Sequence, residues 1–157
     1  MKAGQIWYLD FFAAIIVFIV LSGIFAQYIM QDMGGQESIP RLTSEAARVS
    51  EALMGEGYPH NWTAATVNQI GITGGDWRVN QTKIEQMYSL SAREFRMGLG
   101  TSENVYVEMY NGTDLVPFSG KNYAGDKPST QADTQGAIVR HLIYHGDIVQ
   151  LQVIAWE

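Results

Sequence analysis

The longest apolar run of the chain lies close to its amino terminus. Residues 11–30 carry no charge, and only Ser22, Gly23 and Gln27 interrupt their apolar character. Roughly 20 such residues at helical rise are enough to cross a bilayer core of about 30 Å. Asp10 stands at the amino-terminal edge of this run. The pattern predicts a membrane-spanning helix that carries a more polar remainder.

The next stretch of the chain has helical periodicity. Apolar residues at Leu42, Ala46, Val49 and Leu53 are spaced four, three and four positions apart. This spacing places them on one face of a helix. It therefore predicts an amphipathic helix over 41–54 that packs on a core.

Glycine and proline separate the predicted helices. Gly34-Gly35, followed by Pro40 in a position typical of a first helical turn, predicts an interruption of the helical spine within 34–40. Two shorter helices are predicted farther along, one over 81–90 and one that Ser91 caps.

The carboxyl-terminal third changes to a period of two, which is typical of strands. Val105, Val107 and Met109 alternate with other residues up to Asn111-Gly112, a strong hairpin signal. The stretch 119–135 is long, polar and rich in glycine, proline and threonine. Such a composition predicts a surface loop.

A second hairpin is predicted at the end of the chain. Strands over 137–145 and 148–156 flank Gly146-Asp147, a candidate type II′ turn. Pairing about this turn sets Leu142 against Leu151 on one apolar face. The expected fold class is therefore α+β, with a long amino-terminal apolar helix and a small antiparallel sheet as its head.

Charge and composition narrow the possible partners. The chain of 157 residues has a net charge of −6, and only Lys2 and Asp10 are charged before residue 31. The excess of acid therefore belongs to the head, which disfavours nucleic acid as a partner. The absence of cysteine excludes disulfide bonds, thiol chemistry and cysteine-bound metals.

The flanks of the apolar run predict its orientation. Lys2 lies on the short amino-terminal side, while Asp32 and Glu37 follow the run without nearby bases. Because positive charge is retained inside, we expect the tail inside and the carboxyl-terminal domain outside. The predicted domains are 1–33, the anchor, and 34–157, an extracytoplasmic head of a single-pass protein of the cell membrane.

Two general interpretations of the amino terminus are available. A cleaved secretory signal has a shorter apolar core and a small-x-small site behind it. Here the run is longer, and Met30-Gln31-Asp32-Met33 offers no such site. A plain signal anchor accounts for both the length and the apolarity.

A third interpretation rests on a family resemblance. The start Lys2-Ala3-Gly4-Gln5-Ile6-Trp7-Tyr8-Leu9-Asp10-Phe11 resembles the class III signal sequence of archaeal type IV pilin-like proteins. The resemblance implies that a prepilin peptidase recognises Lys2, Ala3, Gly4 and Gln5 and cuts between the last two. Asp10 lies at the sixth place counted from Gln5, one place later than is usual in the family.

The resemblance extends into the head. The blocks Gly57-Tyr58-Pro59, Asn61-Trp62-Thr63, Ile70-Gly71-Ile72 and Asn80-Gln81-Thr82-Lys83-Ile84 look like a pattern recurring in archaeal pilin-like proteins. Membership implies a structural subunit, major or minor, of a type IV pilus-like cell-surface filament or of its assembly machinery. It implies self-association, or association with other pilins, through the amino-terminal helix. The alternative from another class is a non-polymerising single-pass surface protein whose exterior domain binds a protein or a glycan.

Asp10 has two possible environments. A carboxylate near the apolar edge of a bilayer is costly unless it is paired. In a filament of packed helices, the free α-amino group of Gln5 on a neighbouring subunit is a suitable partner, which makes Gln5 and Asp10 the candidate assembly residues. Otherwise Asp10 lies at the headgroup boundary and is hydrated.

Three N-glycosylation sequons are present, at Asn61, Asn80 and Asn111. They support an exterior, glycosylated head. In the alternative, each threonine serves a turn or a helix cap, and Asn80 in particular is placed to cap a helix.

No pattern in the sequence points to catalysis, a metal or a cofactor. His141 and His145 are four apart, but the local period is that of a strand, which would separate them by about 13 Å. The tryptophans Trp62, Trp77 and Trp156 could form a glycan platform or serve as core residues. We therefore expect a protein without enzymatic activity.

Overall fold

The computed structural model describes residues 4–36, 38–129 and 134–157. The described chain forms two compact units, Met1–Ser38 and Ile39–Glu157. The predicted α+β layout is confirmed, with helices preceding an antiparallel sheet. The elements in chain order are α1 (Gly4–Gln36), α2 (Ser38–Met54), α3 (Gln81–Ser89), α4 (Ala92–Leu99), β1 (Asn104–Asn111), β2 (Asp114–Leu115), β3 (Tyr123–Gly125), β4 (Gln135–Tyr144) and β5 (Asp147–Trp156).

Helix α1 continues farther than its glycines suggest. It passes through Gly34 and Gly35 and ends at Gln36, whereas α2 begins at Ser38. Glu37 lies outside the described residues. Glycine inside a helix costs only about 0.5–1 kcal/mol relative to alanine, so two glycines need not end it. Pro40 lies in the first turn of α2, as predicted.

The amphipathic pattern of α2 is confirmed. Leu42, Ala46, Val49 and Leu53 are fully buried and belong to the single core cluster that joins helices and sheet. The side chains of α3 and α4 enter the same cluster, including Met87 and Phe95 of the two predicted short helices. The cap of α4 is also confirmed, because Ser91 and Glu94 form a reciprocal capping box.

The sheet is antiparallel, with strand order β2-β1-β5-β4. The hairpin at Asn111-Gly112 is confirmed, since Asn111 pairs with Asp114 and Gly112 has a φ of 63°. The prediction of a plain surface loop over 119–135 is wrong in one part. Strand β3 lies within it and pairs with β1, and its Ala124 is buried opposite Val107.

The terminal hairpin forms with a different turn and register. The turn residues are His145 and Gly146, with φ of 52° and 96°, rather than Gly146 and Asp147. Two positive φ values are typical of a type I′ turn. Leu142 therefore pairs with Val149 instead of Leu151. Because the shift is by two residues, the predicted inward face is preserved.

Candidate functional site

The most distinctive feature of helix α1 is a long apolar segment. Asp10–Ile29 is the one candidate membrane span among the described residues, 20 residues long with a mean hydropathy of 2.4. At 1.5 Å per residue such a segment is roughly 30 Å long, the thickness of a bilayer core. The helix therefore has the length and composition of a single membrane anchor.

The apolar surface of this segment is not covered by the rest of its own unit. Large side chains are widely exposed along it, among them Phe18 at 71%, Phe25 at 65% and Tyr28 at 72%. A soluble protein rarely leaves such a continuous apolar surface in water. Its length and apolarity suit contact with lipid or with the apolar helices of other chains.

The predicted processing and assembly residues lie at the start of this helix. Gly4 is the first residue of α1 and Gln5 the second, so the predicted scissile bond is the first peptide link of the helix. Lys2 and Ala3 lie outside the described residues. Asp10 is an exposed residue of α1 at the edge of the apolar segment. Five residues of helical rise separate Gln5 from Asp10, which is about 7.5 Å along the axis.

All three sequon asparagines are exposed on the head. Asn61 lies in the turn after Pro59, and Asn111 is the last residue of β1 at its hairpin. Asn80 caps α3, because its Oδ1 accepts a hydrogen bond of 3.2 Å from the Lys83 amide. That bond leaves Nδ2, the atom to which a glycan would be attached, available. Capping and modification of Asn80 are therefore compatible.

The tryptophans do not form one surface platform. Trp62 is buried, and its indole N–H donates a hydrogen bond of 3.0 Å to the Gly71 carbonyl. Trp156 is partly buried and donates to the Asp126 carbonyl at 3.0 Å. Trp77 alone of the three is exposed, at 59%, with a φ of 66°. The core interpretation is therefore correct for Trp62.

The two histidines do not share one strand, contrary to the prediction. His141 lies on β4 and His145 in the following turn, and both are exposed. Within residues 4–36, 38–129 and 134–157, no group of three or more histidine, aspartate or glutamate side chains is placed to hold a metal ion.

Sequence reasoning missed a cluster on β1 that consists of one buried carboxylate and two tyrosines. Glu108 is 8% exposed, and its two carboxylate oxygens accept hydrogen bonds of 2.5 Å from the hydroxyl groups of Tyr106 and Tyr110. The bond to Glu108 raises the pKa of Tyr110 to about 12, and burial followed by the same carboxylate raises the pKa of Tyr106. Both hydroxyls therefore stay protonated and neutral donors at physiological pH.

The sequence did contain a signal for this cluster. Tyr106, Glu108 and Tyr110 alternate along one strand, so they share a face of the sheet. Tyr106 also lines a cleft beside β3. Strand β3 belongs to the stretch 119–135, which was predicted to be a surface loop.

Comparisons of the chain with protein-family models, with curated proteins and with solved structures found no match.

Proposed function

We propose that the chain is a pilin-like structural subunit, major or minor, of an archaeal type IV pilus-like filament or of its assembly machinery. The observation that carries the proposal is the helix Asp10–Ile29, apolar and uncovered along its length, with an acid at its amino-terminal edge. The sequence from Lys2 to Asp10 supports it, because it resembles a class III signal.

The same helix serves two environments in turn. Before assembly, α1 holds the precursor in the membrane, with the head outside. A prepilin peptidase then cuts between Gly4 and Gln5, which leaves a free α-amino group on Gln5. In the filament, the apolar side chains exchange lipid contacts for contacts with other helices, so the free energy of burying them is retained.

Asp10 supplies the specific interaction of this assembly. Its carboxylate pairs with the α-amino group of Gln5 on a neighbouring subunit. Because five residues separate the two positions, neighbouring helices would be offset by about 7.5 Å along their axes. Pairing within an apolar core also fixes this register, since an unpaired buried charge is strongly destabilising.

One observation favours a second function. The head has a cleft lined by tyrosine, lysine and asparagine side chains. A domain with a purely structural role in a filament would not need such a cleft. A stationary single-pass surface protein, whose exterior domain binds a protein or glycan, would use such a cleft without polymerising. In that case Asp10 lies hydrated at the membrane boundary.

Substitution of Asp10 in the native host separates the two functions. Asp10→Asn should leave the chain in the membrane fraction, because removal of a charge does not oppose insertion. It should abolish or strongly reduce filaments seen by electron microscopy. Asp32→Asn, which removes an acid of α1 beyond the apolar segment, is the matched control and should assemble normally. Normal filaments from the Asp10 variant would exclude the pairing.

A further inference from the structure

A cleft of about 490 Å³ opens in the head beside β3. One wall is the end of α3, with Tyr88, and the connection to α4, with Ser91. The other wall is the segment from Lys121 to Tyr123, and Tyr106 of β1 also lines the cleft. Its volume lies within the range of small-molecule sites, which is roughly 300–1,000 Å³.

The hydroxyl group of Tyr88 is the buried polar group to be explained at this cleft. Its side chain is 1% exposed, and its hydroxyl is buried without a hydrogen-bond partner among the described residues. A buried hydroxyl left without a partner costs about 1–3 kcal/mol. Burial, followed by the nearby Glu108 carboxylate, raises the pKa of Tyr88, so the group remains a donor. Tyr88 lines the cleft, and a small shift of the surrounding side chains on binding would let an acceptor there reach its hydroxyl.

Two tyrosine rings lie in contact at the cleft, tilted against each other. The rings of Tyr106 and Tyr123 lie 5.3 Å apart between centroids, with an angle of 37° between their planes. Tyr106 is held by its bond to Glu108, whereas Tyr123 is 41% exposed. An amphipathic ring of this kind suits a ligand with both C–H and O–H groups.

The charged groups at the cleft are basic. Lys121 and Lys127 both line it, and neither has a carboxylate within 4 Å in the described part of the chain. The nearby Glu108 already accepts two tyrosine hydrogen bonds. Ser91 also lines the cleft, but its amide N–H already donates to the Glu94 carboxylate at 2.9 Å, so the start of α4 adds no free donor from this residue. One negative charge on a ligand would be favoured here.

The whole chain limits how much negative charge the ligand can carry. With a net charge of −6, the protein repels polyanions over distances longer than the cleft. A single carboxylate is therefore a better fit than a polyphosphate or a nucleic acid. An acyl chain is also a poor fit, because the lining is mixed and includes hydroxyl, amide and ammonium groups.

We propose that this cleft binds an acidic saccharide of one or two rings, such as a uronic acid. The sugar ring packs on Tyr123, its carboxylate lies between Lys121 and Lys127, and one of its oxygens accepts a hydrogen bond from the Tyr88 hydroxyl. This inference does not depend on whether the chain polymerises. It would apply equally to a filament subunit and to a stationary surface protein.

The test measures glucuronate binding to the full chain by titration calorimetry and saturation-transfer NMR. The chain is kept in a detergent without a sugar headgroup, and glucose and acetate are titrated under the same conditions. Glucuronate should bind at least 10-fold more tightly than either control, because only it engages both the aromatic surface and the lysines. Equal binding of acetate would identify an adventitious anion site only and overturn the proposal, as would equal binding of glucose.

A variant of Tyr88 should change the affinity for glucuronate, which a purely structural role of Tyr88 would not predict. Tyr88→Phe removes only the hydroxyl, so it should weaken glucuronate binding about 5- to 10-fold, the equivalent of one hydrogen bond. The thermal midpoint of the unliganded chain should be unchanged or higher, because no internal bond is lost. Tyr58→Phe, at an exposed tyrosine away from the cleft, is the matched control and should bind normally. Unchanged affinity in Tyr88→Phe, or a lower thermal midpoint, would overturn the assignment.

The lysines are tested in the same assay. Lys121→Gln combined with Lys127→Gln should bring the affinity for glucuronate down to that for glucose. Arg78→Gln, which removes a positive charge from an exposed residue elsewhere on the head, should leave the preference intact. A preference that survives the double substitution would contradict the proposed position of the carboxylate.

Discussion

Gly136 on β4 lies directly against the main chain of Thr43 on α2, so that a Cβ atom built on Gly136 would be 2.3 Å from the Thr43 amide nitrogen. The carbonyl carbon of Leu42 would be only 2.5 Å from the same atom. Since both neighbours are backbone, neither can rotate away. The absence of a side chain at Gly136 therefore permits α2 to pack on the edge strand of the sheet.

We expect Gly136→Ala to destabilise the head by about 3 kcal/mol, the upper part of the range for overpacked sites. Alanine also lowers the entropy of the unfolded chain, which stabilises the fold by less than about 1 kcal/mol. This gain is too small to make the net change in the free energy of unfolding favourable. Denaturation of the full chain in detergent, followed by tryptophan fluorescence, measures the loss. Gly74→Ala is the control, because its nearest non-adjacent atom is 3.5 Å away, and should change stability by less than about 0.5 kcal/mol. Equal stabilities of the two variants would refute the close packing.

The contact between Gly136 and Thr43 also illustrates what a sequence conveys about a fold. Periodicity alone identifies the buried face of α2, because apolar side chains at helical spacing have to share a core. It does not show that a strand crosses α2 at a glycine, since this depends on two segments that lie far apart in the chain. The same limit applies to Arg140, whose Nε donates to the buried Ser50 hydroxyl at 3.0 Å.

The register of the last hairpin could not be settled by turn propensity. Both Gly146-Asp147 and His145-Gly146 contain a glycine able to adopt a positive φ. The second pair forms the turn, with His145 in the left-handed region at a φ of 52°. Both registers bury the same alternate residues, so the apolar pattern does not distinguish between them.

The candidate sites also differ in whether they depend on local patterns or on contacts between distant segments. A membrane span and a sequon are local patterns, so residues 11–30 and Asn61, Asn80 and Asn111 are found by reading the chain. The cleft at Tyr88 is built from four separate segments of the chain, and one of them contains β3, which has a single buried residue. Nothing local identifies such a short strand.

Lys83 is a second test of the packing of the head. It is 6% exposed, and its Nζ donates to the carbonyl oxygens of Glu56 at 2.7 Å and Thr73 at 3.3 Å. Lys83→Met retains the aliphatic stem but leaves both acceptors without this donor. We expect a loss of about 2 kcal/mol in the free energy of unfolding, within the range for hydrogen bonds to charged groups.

Lys121→Met, at an exposed lysine with no such bonds, provides the comparison for Lys83. Its stability should lie within about 0.5 kcal/mol of that of the parent chain. If Lys83→Met were as stable as this control in the same denaturation assay, the ammonium group would have no role in holding the two carbonyls together.

Asn80 allows modification and capping to be separated. Thr82→Ala removes the sequon but retains the cap, so it should eliminate any glycan mass at Asn80 without a change in stability. Asn80→Ala removes both and should also cost about 1 kcal/mol, as expected for a lost N-cap. Intact-mass measurement of native protein, before and after deglycosylation, reports the first effect and denaturation the second.

Two results would count against this account of Asn80. If Thr82→Ala were as destabilising as Asn80→Ala, the cap would not depend on the asparagine side chain. An intact mass of native protein equal to that of the bare polypeptide would exclude glycosylation at Asn61, Asn80 and Asn111 together.

The amino-terminal residue of the mature chain is the most direct test of the proposed function. Mass spectrometry of protein isolated from native membranes and filaments should recover an amino-terminal peptide that begins at Gln5. Peptides that cover the head should be recovered without further cuts, which would show that the cut is specific. A chain that begins at Gln5 is the result we predict for a processed pilin-like subunit. Full retention of residues 1–4 in native material would contradict that assignment.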